Sequence, residues 1–296
     1  MKLFYILLLV CCSGRGMAQQ QVADKKQTAP DNTLLWEVSG NGLAAPTYLY
    51  GTFHLLCTDD IRFSNTLKKA VAASRSVYLE LDLDDPATLM GGMMLMTMKG
   101  GKKLKDLYTP EAYARIVAFF KDSLKTNLAL FQGIKPEFLV AFLYPKMMPC
   151  TSTGSVEEAI MQLAKTGNKE IYGLETMAFQ ASLFDSIPYE KQAASLLEAI
   201  DSLDKSKKYF SLMLAAYNNQ RLDEIEKIVH DKESGLEDNM DDLLDKRNKN
   251  WVAQLKKIMK DQPVFVAVGA GHLVGPAGLI SLLRAEGYTV KGVQKF

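Results

Sequence analysis

Two of the three histidines in this chain end the same short sequence, Gly51-Thr52-Phe53-His54 and Gly269-Ala270-Gly271-His272. Near neutral pH an imidazole either ligates a divalent metal or carries a proton, and each use needs a partner. A glycine ahead of each histidine lets the backbone leave a strand in a conformation other residues resist, and leaves room for a ligand beside the ring. Two carboxylates, Glu80 and Glu175, close short apolar runs of their own. His54, Glu80, Glu175 and His272 therefore form a candidate set, and two histidines with carboxylates and an open position suit a catalytic metal. Without metal, the same groups supply a histidine base oriented by a glutamate. The plainer readings are hydrogen-bonded structural histidines and, for Glu80, a surface or helix-capping carboxylate.

Other candidates carry less. His230 lies in Glu226-Lys227-Ile228-Val229-His230-Asp231-Lys232, the wet end of a helix, and reads as surface. Cys57 stands three residues after His54, where a disulfide or an inert thiol is favoured over a ligand. Met90 to Met98 (MGGMMLMTM) reads as adaptable packing, an apolar lid or a peptide-facing surface. There is no Gly-x-Ser-x-Gly elbow, phosphate loop or His-Glu-x-x-His helix, so serine-hydrolase, nucleotide and zincin readings lack support. With 35 basic against 34 acidic residues and no basic stripe, nucleic acid is not an expected partner.

The elements that must hold these residues follow from pattern. Leu34 to Ser39 and Thr47 to Gly51 read as strands around a Gly40-Asn41-Gly42 turn, the second running into the first Gly-x-x-His. A helix over 61–74 and a strand over 77–81 follow. The same order recurs late in the chain: a strand over 264–268, the second Gly-x-x-His, a helix over 276–286 and a strand over 288–293. A strand, helix and strand in that order make a right-handed crossover with parallel strands, which puts both histidine turns on the carboxyl edge of one sheet. The fold expected is α/β: a duplicated strand-Gly-x-x-His-helix-strand core, with a mixed sheet covered by helices and a helical insertion. Its halves span about 34–85 and 262–296, and the helical middle about 86–261 holds a capping box at Ser155 and Glu158 and a strand over 170–174.

Ahead of the domain, Met1, Lys2 and an apolar run from Leu3 to Cys12 read as a signal peptide ending at Ala18, too short to span a membrane. Cys11 and Cys12 make a lipoprotein the second reading. Residues 19–33 read as a disordered linker, and 34–296 as one domain. No later segment is apolar enough to span a bilayer, so the expected product is periplasmic or secreted. Cys57 and Cys150 then either bridge or stay as separate thiols.

Several short segments occur together: Leu49-Tyr50-Gly51-Thr52-Phe53-His54-Leu55, Glu80-Leu81-Asp82, Gly173-Leu174-Glu175-Thr176 with Gln180, Arg247-Asn248 with Trp251, and Val268-Gly269-Ala270-Gly271-His272-Leu273. In this order they resemble the TraB/GumN (TraB/PrgY/GumN) family, which includes the Tiki metalloproteases, over about 34–293. The resemblance implies an α/β fold with a duplicated core. It also implies a peptidase dependent on a divalent cation (Mn, Co or Zn) held by His54, Glu80 and His272. Glu175, Arg247 and Asn248 match further polar positions, with Glu175 a candidate proton acceptor and Arg247 a candidate for steadying an oxyanion. Many relatives carry Gly-x-Asp where this chain has Ser155-Val156-Glu157, so Glu157 replaces an aspartate. The wider superfamily adds a metal-free erythromycin-esterase type and a haem-binding type. The expected partner is a peptide or small-molecule substrate, with a non-catalytic peptide- or haem-binding protein as the alternative.

Overall fold

The structure is a computed structural model that describes residues 32–231 and 241–293. The expected signal peptide and all but the last two residues of the expected linker lie outside them. Thr33, at the end of that polar stretch, is buried, and its hydroxyl donates to the Val293 carbonyl at 2.9 Å.

Eight strands are present among the described residues: β1 Leu35–Ser39, β2 Thr47–Thr52, β3 Leu56–Cys57, β4 Ser76–Leu81, β5 Thr153–Gly154, β6 Glu170–Glu175, β7 Val264–Gly269 and β8 Thr289–Gly292. Six of them form a mixed sheet in the order β6-β4-β7-β2-β1-β8. β6, β4, β7 and β2 run parallel, and β1 is antiparallel to both its neighbours. The longer helices are α1 Asn65–Ala73, α2 Pro86–Leu95, α3 Pro110–Ala118, α4 Val156–Thr166, α5 Met177–Asp185, α6 Tyr189–Asp201, α7 Leu203–Asn218, α8 Leu222–Val229, α9 Lys246–Asp261 and α10 Leu279–Ala285.

The two copies of the repeat interleave. β2-α1-β4 steps over β7, and β7-α10-β8 steps over β2 and β1, so the first strands of the two copies lie side by side. Thr52 pairs with Gly269, which brings the two histidine turns to adjacent strand ends on the carboxyl edge. Val264 to Val268 are fully buried, as befits a central parallel strand covered on both faces. Helices α1, α4, α7, α8, α9 and α10 pack on this sheet. On α9, residues four apart (Arg247, Trp251, Leu255, Met259) make the inward stripe.

Element ends differ from the pattern for local reasons. The first crossover helix starts at Asn65, because the Ser64 hydroxyl caps the Leu67 amide at 3.1 Å. The second starts at Leu279, because Gly275 takes a left-handed φ of +82° and turns the chain first. Helix α9 begins at Lys246 after a wide turn at Asp241–Asp245. The helical middle has a core of its own, built on Leu104, Ile116, Phe120, Leu128, Leu139, Leu143, Met147 and Leu196.

Candidate active site

His54 leaves the end of β2 on a short excursion that is tied down twice. β3 pairs antiparallel with β5, and a disulfide joins Cys57 to Cys150 with Cα atoms 5.9 Å apart, which decides between the bridged and free readings. Both ties connect the His54 turn to the segment leading into α4. There Ser155 caps the helix, accepting from the Glu158 amide, and its hydroxyl donates to Glu157 Oε2 at 2.6 Å. Glu157, buried in the first turn of α4, accepts from His54 Nδ1 through Oε1 at 2.8 Å. The helix N-terminus favours that carboxylate. Burial pushes the Glu157 carboxyl up, but the hydrogen bond and charge of His54 and the Ser155 hydroxyl outweigh it and hold it below its ordinary value. The same bond raises His54 to about 9, against desolvation and the charge of Arg247. The His54 side chain is nonetheless 74% exposed, so solvent screens the pair.

His272 has the opposite surroundings. It is buried, and Asn248 on α9 holds its Nδ1 at 2.7 Å. Because the Asn248 amide nitrogen already donates to the Ala277 carbonyl, its Oδ1 is the acceptor and Nδ1 carries the proton. The Nε2 lone pair then accepts from Arg247 Nη1 at 3.1 Å. Trp251 lies 4.4 Å from the imidazole and 4.8 Å from the guanidinium, closing the group from below. Burial lowers His272 to about 4, with Arg247 adding to it and Glu80 opposing, so the ring is neutral at neutral pH.

Arg247 is the hub. Its Nη2 donates to Glu80 at 2.6 Å and lies 2.9 Å from Glu175; Nε reaches Glu175 at 3.0 Å, and Nη1 also donates to the Leu243 carbonyl. Four of the five N–H groups are thus hydrogen-bonded, and the second Nη2 hydrogen has Glu175 beside it in an ion pair. Glu80 also accepts from the Gly269 amide at 2.8 Å, and Gln180 on α5 bridges Glu80 and Glu175. Burial pushes Glu80 up, but His272, Arg247, His54 and the Gly269 amide carry it down to about 2. Gly269 leaves room for this approach, since a Cβ on it would stand 3.3 Å from Glu80 Oε1 and press on the carboxylate.

The sheet edge therefore brings together His54, Glu80, Glu175, Arg247, Asn248 and His272. Asn248 positions His272, and the Arg247 donors face side chains and backbone of the protein itself. Sequence reasoning named Glu157 only as a departure from a pattern and missed it as the partner of His54. The available signal was an acid two residues after a capping serine, in the first turn of the helix. His230 is exposed and lines a cavity of about 210 Å³ behind Gly271 and Asn248, with Asp245 on another wall. The Met-rich helix α2 packs on α5, where Met177 lies against Gly92.

As ligands for a divalent ion, His54, Glu80 and His272 do not fit in this arrangement. His272 Nε2 and Glu80 Oε2 both accept from Arg247, whose fixed positive charge stands between them. Among the described residues no group of three or more His, Cys, Asp or Glu is disposed to hold a metal.

Comparison with known proteins gives one consistent answer. The chain is 25% identical to the metalloprotease TIKI1 of Danio rerio over 88% of its own length and 63% of that protein's. It is 24% identical to the metalloprotease TIKI2 of Xenopus tropicalis (88% and 60%) and 22% identical to human metalloprotease TIKI1 (97% and 68%). It thus spans roughly three fifths of the length of these relatives. No solved structure matches it. The family model described as TraB/PrgY/gumN matches residues 34–292, nearly the whole of the described fold, and the chain belongs to that family.

Proposed function

We propose that the protein is an exported, peptidase-like hydrolase in which His54 moves the proton and Glu157 orients it. The observation that carries this is the division of the His54 ring: Nδ1 is anchored on a buried carboxylate while the rest of the side chain faces solvent beside a charged cluster. A histidine so held presents Nε2 to a substrate in one tautomer and orientation. Nε2 takes the proton of a water attacking a carbonyl and returns it to the leaving amine. His272, whose Nε2 is engaged by Arg247, is not open to that work. The Arg247, Glu80, Glu175, Gln180 and Asn248 network keeps the floor of the site rigid. A peptide substrate is supported by the metalloprotease relatives, and export by the apolar leader and the disulfide. The domain plan proposed is a signal over 1–18, a linker over 19–33 and one domain with duplicated halves from 34.

The test is a peptide-library cleavage assay on tag-free protein. His54→Ala is expected to lower turnover by about 100-fold or more with an unchanged circular dichroism spectrum. Undiminished cleavage by that variant sinks the assignment. Because His54 titrates at about 9, kcat/KM should climb with pH and level off near there. The second reading, in which His54, Glu80 and His272 hold Mn, Co or Zn, is favoured by the relatives' names and requires Arg247 to leave its partners. It predicts activity lost to exhaustive chelation, where the first predicts activity retained.

A further inference from the structure

We infer that Arg247 occupies the position a divalent cation would take between Glu80, Glu175 and His272, so that this site excludes a resident metal for as long as the guanidinium is there. Without the arginine head group, the same pocket offers two carboxylates and an imidazole Nε2 around one space. These are donor types that a first-row divalent ion takes, spread here around a guanidinium and free to close on an ion once it is gone. His272 is even oriented as a ligand would be, with Nδ1–H held by a side-chain oxygen at 2.7 Å and Nε2 turned inward. Its Nε2 lies 3.7 Å from Glu80 Oε1, a spacing two donors to one ion can adopt.

The guanidinium answers each of these donors. Its Nη1 takes the Nε2 lone pair, Nη2 takes Glu80 Oε2, and Nε takes Glu175. With His272 neutral, as its acceptor role toward Nη1 requires, the buried group carries two negative charges and one positive. A divalent ion added beside the arginine would place two cations against the same oxygens, within a few ångströms of each other in a site largely closed to water. Their repulsion there is only weakly screened. The arginine cannot relieve this by losing its proton. Ion and guanidinium are therefore alternatives, and the chain as folded holds the guanidinium, stacked on Trp251.

This inference does not rest on the reaction assigned to His54, and it is read by metal binding rather than turnover. Tag-free wild-type protein, Arg247→Leu, Arg247→Lys and the double variant Arg247→Leu, His272→Ala are titrated with Zn²⁺ and Mn²⁺ by calorimetry, with Tm followed at each addition. Arg247→Leu is expected to take one equivalent at least about tenfold more tightly than wild type and to gain Tm with metal. The lysine variant and the double variant should gain neither. A folded Arg247→Leu that gains no affinity overturns the inference. So does a wild-type protein that binds one equivalent at micromolar affinity and loses it on His272→Ala. Should the leucine variant fail to fold, this wild-type and His272→Ala comparison decides alone, with absence of stoichiometric binding supporting the inference.

Discussion

Two histidines with the same local sequence, Gly-x-x-His, end up on opposite sides of neutrality, His54 at about 9 and His272 at about 4. The difference lies in what each Nδ1 finds, a buried carboxylate for the first and a neutral amide for the second, and in the burial of the second ring. Glu157→Gln keeps the shape and removes the charge, so His54 should fall toward its ordinary 6.5, and the pH limb of kcat/KM should move down with it. Proton NMR titration of the imidazole gives the first number and the pH–rate profile the second. An unmoved His54 titration would detach Glu157 from the site. Asn248→Leu leaves the buried Nδ1–H of His272 without its acceptor, at a cost of about 1–3 kcal/mol in urea unfolding.

At the scale of elements, the His54–Glu157 contact depends on a ribbon and a disulfide rather than on the sheet. Cys57 and Cys150 are 93 residues apart in sequence, and closing so long a loop restricts the unfolded chain strongly. The double variant Cys57→Ser, Cys150→Ser should lose roughly 3–5 kcal/mol in denaturant melts, with His54 moving toward 6.5 as its partner loosens. Retained stability in that variant would mean the ribbon of β3 and β5 suffices. The glycines of the two turns are unequal. A Cβ on Gly51 would lie 3.1 Å from the Ala270 Cα, where the two copies of the repeat touch, whereas one on Gly271 meets nothing closer than 3.9 Å. Gly51→Ala should therefore cost about 1–3 kcal/mol, and Gly271→Ala far less, by urea midpoint.

Over the whole molecule, the same groups set how stability varies with pH. His272 titrates lower in the folded state than its ordinary 6.5. Its contribution is complete above 6.5 and is lost as pH falls toward 4, about 3 kcal/mol in all. Glu80, lowered from 4.5 to about 2, adds a further loss between those values. His54, raised to about 9, contributes fully below 6.5 and loses its contribution as pH rises through 9, weakly because the ring is exposed. Thermal melts from pH 3 to 10 should peak near 6.5, fall steeply on the acid side and gently on the alkaline side. A maximum displaced beyond pH 8 would contradict the raised titration of His54, and stability undiminished from pH 6.5 down to 4 would contradict the neutral, buried state of His272.

Much of the fold was legible because it follows local rules. Short apolar and aromatic runs marked the strands of the sheet, glycine turns their ends, and the repeated Gly-x-x-His its duplication, since these patterns report backbone geometry within a few residues. The sheet order was not legible. That the two copies interleave, with β2 beside β7, depends on which strands bury each other's faces, and this is what sets Thr52 opposite Gly269. Sequence also named the charged residues of the edge, but not their pairing. Arg247 reaches Glu80 across 167 residues and His54 reaches Glu157 across 103, and side chains so far apart meet only once packing has chosen their neighbours. Residue types determined that this edge holds imidazoles, carboxylates and a guanidinium. Only the tertiary structure decided which of them neutralise one another and which ring is left facing water.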